Sequence, residues 1–139
     1  MMNNGKKAIY KTTSLAMAVL FAGVGVIFLM LPAGLIEFFN RLSGPLGMKP
    51  APLTGHQFFL VLAVSYMYCV TLLAWFMFRH PHDKIYPLLL AQAKAVSSIL
   101  SFLFFILHQP FLIYLTNGVV DGAIAVLVFV LYLRMLKPS

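Results

Sequence analysis

The chain has 139 residues, of which 62% are hydrophobic and 9% charged, with a mean hydropathy of +0.95. Soluble domains carry about 25% charged residues, so 10 Lys+Arg and 3 Asp+Glu cannot cover a water-facing globule, which argues against a soluble enzyme, a nucleic-acid binder or a disordered chain. The net charge of +7 comes from cations that flank apolar runs, where they orient a membrane protein, and the lone Cys69 excludes an intrachain disulfide, a Cys-rich zinc site or a c-type haem motif.

Four stretches are long enough for a hydrocarbon core of about 30 Å, which takes roughly 20 apolar residues per helix. The first runs over 14–39. Lys6, Lys7 and Lys11 precede it as in a signal peptide, but a signal's apolar region spans only about 7–15 residues, so a retained anchor helix is expected, kinked in its outer third by Pro32. Residues 41–56 hold three prolines and three glycines and read as a broken loop. The second stretch, 57–78, ends in the charged turn 79–84. The third, 85–107, meets the fourth, 111–133, at the tight turn His108-Gln109-Pro110, with Pro110 placed to open the last helix. Runs such as Phe102 to Leu107 lack the period-two alternation of transmembrane strands. The expected fold is therefore all-α: a single membrane domain over 1–139, an integral up-down four-helix bundle.

Cation counts set the orientation. Lys6, Lys7, Lys11, Arg79, Lys84, Arg134 and Lys137 fall on one side, and only Arg41 and Lys49 on the other. Both termini are expected in the cytoplasm.

Two charges remain within the spans, Lys94 and Asp121, and each costs about 2.5–3.5 kcal/mol at mid-membrane on an insertion scale. About the turn at His108, residues at equal distance along the two helices share a depth: Lys94 with Asp121, Ser98 with Asn117, Ser101 with Tyr114. Lys94, Ser98 and Ser101 follow i, i+4, i+7, and Tyr114, Asn117 and Asp121 follow i, i+3, i+7, so two polar stripes can face each other. Gly118-x-x-x-Gly122 and Ala91-x-x-x-Ala95 permit close helix approach. A Lys94–Asp121 pair is expected. Such a stripe serves either as helix–helix glue or as the lining of a ligand, ion or proton site. The candidate ligand-binding residues are Lys94, Asp121, Asn117, Ser98, Gln92 and Tyr114.

A second polar group gathers at the outer face: Glu37 and Asn40, His56 and Gln57, His108 and Gln109. Glu37, His56 and His108 are candidate metal ligands or quinone-headgroup contacts, against a plain reading as interfacial helix caps. No H-x-x-x-H spacing supports them. Nucleotide-loop, hydrolase and zinc-protease motifs do not appear, so no cofactor and no catalytic residue is assigned.

The Gly23-x-Gly25 and Leu31-Pro32 ending of the first helix, with the turn Arg79-His80-Pro81 after the second, resembles the DoxX-like families of small bacterial membrane proteins, similar in architecture to the EXPERA proteins. The resemblance covers about residues 14–134 and implies a compact bundle in the bacterial cytoplasmic (inner) membrane, its polar residues facing a cavity. DoxX-like proteins are often uncharacterised or are accessory subunits of membrane oxidoreductases, and the resemblance implies no more specific role. EXPERA isomerases use acids on several helices. This chain has Asp121 and Glu37 but no mid-membrane acid on the second or third helix, a departure from the isomerase pattern.

The leading expectation is a non-enzymatic protein binding a lipid- or quinone-like molecule, or an accessory subunit. A small transporter, for which four helices would require homo-oligomerisation, and a membrane-embedded enzyme with Asp121 as acid/base and Lys94 tuning it remain open. Expected partners are membrane lipids, a lipophilic small molecule or a membrane subunit, and not nucleic acid.

Overall fold

The computed structural model describes residues 4–54 and 57–136. Its elements are α1 (Asn4–Met30), α2 (Pro32–Ser43), a 3₁₀ turn (Gly44–Leu46), α3 (Gln57–Arg79), α4 (Ile85–Leu107) and α5 (Leu112–Leu136), with no strand among the described residues. Four helices are long and apolar enough to cross a membrane: Asn4–Met30, Phe59–Arg79, Ile85–Leu107 and Leu112–Met135. Large apolar side chains such as Val19, Leu62, Ile99 and Val126 are exposed on every one of them. That surface suits lipid and not water.

The first expected helix differs most. It begins at Asn4, ten residues early, and breaks in two at Leu31. Pro32 has no N–H to donate to the preceding turn and its ring restricts the residue before it. Leu31 accordingly leaves the helical region at φ −135°, ψ 50°, and Pro32 occupies the first turn of α2. The break is confined: Leu31 N–H still donates to Ile27 (2.9 Å) and Leu35 N–H to the Leu31 carbonyl (3.0 Å). Proline thus turns the expected kink into a break of one residue.

α2 is short and amphipathic, with Glu37 and Arg41 exposed on one side. It extends to Ser43, shortening the expected 41–56 loop. Gly47 takes the left-handed conformation (φ +66°) and closes the 3₁₀ turn onto Gly44 at 3.1 Å, a geometry that favours glycine. Asn40 then clamps the loop, donating from Nδ2 to the Ala51 carbonyl (2.8 Å) and accepting the Ala51 N–H at Oδ1 (2.7 Å).

The remaining expected helices correspond to α3, α4 and α5. Asp83 Oδ1 accepts the Ile85 N–H at 3.0 Å, satisfying one of the free donors at the start of α4. Pro110 does not enter α5. It lies in a turn where Phe111 N–H reaches the Gln109 carbonyl (2.8 Å), and the helix starts two residues later.

Neighbouring long helices run antiparallel. α1 packs along α3, α4 along α5, and a smaller contact joins α3 to α4, while α2 folds over to touch α5. The core follows one stripe of α1 (Tyr10, Ser14, Met17, Phe21), spaced i, i+4, i+7, i+11, against Met67, Val70, Ala74 and Met77 of α3 and Leu90, Val128 and Leu131 from the second pair.

Candidate functional site

Lys94 and Asp121 lie where the two helix pairs meet. The Lys94 Nζ is 2.8 Å from Asp121 Oδ1, with side-chain exposures of 3% and 5%. The ammonium also lies 4.7 Å from the ring centre of Phe21 on α1 and 5.1 Å from that of Tyr66 on α3. An ammonium has three donors and no acceptor. Here one direction meets a carboxylate and the others meet aromatic faces, whose negative quadrupole attracts a cation. One α4 side chain therefore touches α1, α3 and α5 together. Tyr66 reinforces the junction, its hydroxyl donating to the Ala93 carbonyl at 3.2 Å.

The rungs beside the pair differ from the expected register. Ser98 Oγ donates to the Gly118 carbonyl at 2.7 Å, and Asn117 Nδ2 donates to Ser101 Oγ (2.7 Å) and Ser97 Oγ (3.3 Å). Gly118 and Gly122 explain the first contact. A methyl group built at Gly122 would come within 2.9 Å of Ser98 Oγ, and one at Gly118 within 3.2 Å of the Phe102 ring. Without side chains there, α4 approaches closely enough for Ser98 to reach backbone.

Tyr114 is not paired with Ser101. Its ring sits among aromatics, 6.0 Å from Phe104 and 5.7 Å from Phe111, and it borders an apolar pocket of about 450 Å³. The pocket lies beside the Leu31–Pro32 break. Phe28, Pro32 and Ile36 form one wall, Leu60 and Ala63 of α3 another, Ile113 and Tyr114 of α5 the third. Among the described residues, every lining side chain but Tyr114 is apolar. Ligand cavities commonly fall at about 300–1,000 Å³ with few polar groups. Of the six candidate ligand residues only Tyr114 borders this pocket. Lys94, Asp121 and Ser98 are buried against protein, and Asn117 is engaged with serines. Gln92 is exposed on a separate groove between α4 and α5, beside Ala91, Ala95 and Ala125.

Among the described residues, the members of the outer polar group are not brought together. Glu37 is exposed and bonded to Arg41 at 2.7 Å. His108 is exposed and its ring lies 5.0 Å from that of Phe104. His56 lies outside the described residues. Among the described residues no group of three His, Cys, Asp or Glu is placed to hold a metal ion.

Sequence reasoning missed three features: the Phe21 and Tyr66 rings around Lys94, the pocket at the helix break, and the buried hydroxyl of Tyr10. The α1 stripe ending in Phe21 carried a usable signal, since Ser14 marks it as an inward face. No protein-family model matches the chain, and neither does any curated protein or solved structure.

Proposed function

We propose that this chain is a non-catalytic multi-pass membrane protein that holds a lipophilic molecule in the pocket beside the Leu31–Pro32 break, with Tyr114 as its polar contact. Both termini face the cytoplasm of a bacterial inner membrane, and the family is DoxX-like, a reading that rests on the Gly23-x-Gly25, Leu31-Pro32 and Arg79-His80-Pro81 patterns. The observation that carries the ligand reading is an apolar pocket of about 450 Å³ with, among the described residues, the Tyr114 hydroxyl as its polar group. An acyl or isoprenoid chain matches such a lining, and a carbonyl or hydroxyl on it matches a phenol. In this reading the Lys94–Asp121 pair holds the walls together and does not touch the ligand.

The test is native mass spectrometry of protein released gently from membranes, comparing the natural chain with Ala63→Phe. The added ring enters the pocket from α3. The natural chain is expected to retain a lipophilic adduct that Ala63→Phe loses while keeping its helicity. An adduct carried equally by both would refute the assignment.

A second reading, an accessory subunit, is favoured by Gln92. Its amide is exposed two residues from the buried Lys94, on an apolar groove rich in alanine. A partner helix bearing an amide or hydroxyl would satisfy it. Loss of a co-purifying membrane subunit on Gln92→Leu would support that reading, and unchanged co-purification would remove it.

A further inference from the structure

At the opposite end of the bundle, α1 and α5 leave a narrow cleft of about 30 Å³ lined by Lys6, Ile9, Tyr10, Leu131 and Arg134. Lys6 stands one turn before Tyr10 on α1, and Arg134 one turn after Leu131 on α5, so each helix offers a cation to one opening. Tyr10 is 2% exposed. Among the described residues its hydroxyl is the buried side-chain polar atom without a hydrogen-bond partner. Such orphans are rare in folded proteins and call for an explanation.

The three polar groups share one property. A phenol hydroxyl, an ammonium and a guanidinium all donate, and among the described residues no carboxylate or amide side chain lines the cleft with them. Asp83, the acid at this end among the described residues, accepts the Ile85 N–H through Oδ1 and lines the hollow of the 79–84 turn outside the cleft, though its charge reaches the Tyr10 hydroxyl. The complementary ligand is an oxyanion. Depth narrows it further. About 20 residues of α1 span the hydrocarbon core, and counting back from Met30 puts Tyr10 at its edge, where lipid phosphates lie.

We infer that this cleft is a phosphate site. One phosphate oxygen enters it and accepts from the Tyr10 hydroxyl, while Lys6 and Arg134 flank the remaining oxygens at the mouth. A volume near 30 Å³ admits a single water-sized atom, so the phosphorus stays outside. The phosphate belongs to an anionic phospholipid or is free inorganic phosphate.

The experiment measures retention of phosphatidylglycerol against phosphatidylcholine by native mass spectrometry, with and without millimolar inorganic phosphate. It uses the full chain, Tyr10→Phe, Lys6→Gln with Arg134→Gln, and Arg79→Gln as a cation outside the cleft. A hydrogen bond to a charged group is worth about tenfold in affinity. Tyr10→Phe is therefore expected to lose about tenfold, the double variant more, and Arg79→Gln nothing. Competition by inorganic phosphate that disappears in Tyr10→Phe assigns the site to the free ion, and its absence assigns it to lipid. Unchanged retention in Tyr10→Phe, or an equal loss in Arg79→Gln, would show diffuse surface charge and overturn the site. Should Tyr10→Phe fail to fold, the exposed Lys6/Arg134 pair against Arg79 decides it by the same comparison.

Discussion

The Lys94 ammonium and the Asp121 carboxylate meet at 2.8 Å with almost none of either side chain exposed, and the rings of Phe21 and Tyr66 enclose the ammonium from the other helix pair. Removing one partner of a buried pair leaves an uncompensated charge and costs about 3–5 kcal/mol, whereas replacing both by apolar groups is often neutral. Lys94→Met alone is expected to lose that amount, and Lys94→Met with Asp121→Leu to recover most of it. Thermal unfolding in detergent reads both. A double variant as unstable as the single would show that the charges themselves are required.

The aromatic contacts separate ring from hydroxyl. Phe21→Ala removes a buried ring and a cation contact, and is expected to cost about 3–5 kcal/mol from the cavity alone. Tyr66→Phe keeps the ring over Lys94 and loses one hydrogen bond to a backbone carbonyl, worth about 1 kcal/mol. Equal losses in the two variants, measured in the same unfolding experiment, would contradict a role for the ring.

Two glycines predict opposite signs. Gly122→Ala brings a methyl group to 2.9 Å from Ser98 Oγ and is expected to destabilise by about 1–3 kcal/mol, as overpacking does. Combining it with Ser98→Ala should relieve most of that. Gly23→Ala meets nothing within 4 Å and should stabilise α1 by up to about 1 kcal/mol. A destabilising Gly23→Ala would place an unseen partner against α1.

How much of this was legible follows from which forces write a pattern. Long apolar runs and flanking cations marked the helices, because hydrocarbon thickness fixes length. Two isolated charges at equal distance from a turn gave the Lys94–Asp121 contact, because an unpaired charge there is too costly to leave. The neighbouring rungs were not legible. Ser98 reaches a backbone carbonyl that no side-chain pattern announces, and Asn117 reaches Ser97 and Ser101 instead of Ser98. Phe21 by itself looked like any lipid-facing phenylalanine, and only Ser14, two turns earlier on the same stripe, marked its face as inward. Pro32 announced a bend, but not that Leu31 would leave the helix or that a pocket would lie beside it.

Topology is checked by reporter fusions. Fusions after Gly47 and at residue 139 are expected to report opposite compartments, the second cytoplasmic, from seven flanking cations against two. A shared compartment would contradict four crossings.

The central claim is a lipophilic ligand lodged at the helix break, and the most direct test is an experimental structure of the chain extracted with its native lipids. The account predicts elongated non-protein density between Pro32, Ala63 and Tyr114, ending in a polar atom near the Tyr114 hydroxyl, with α1 and α2 interrupted at Leu31. Side chains filling that space, or a continuous helix through Pro32, would contradict it.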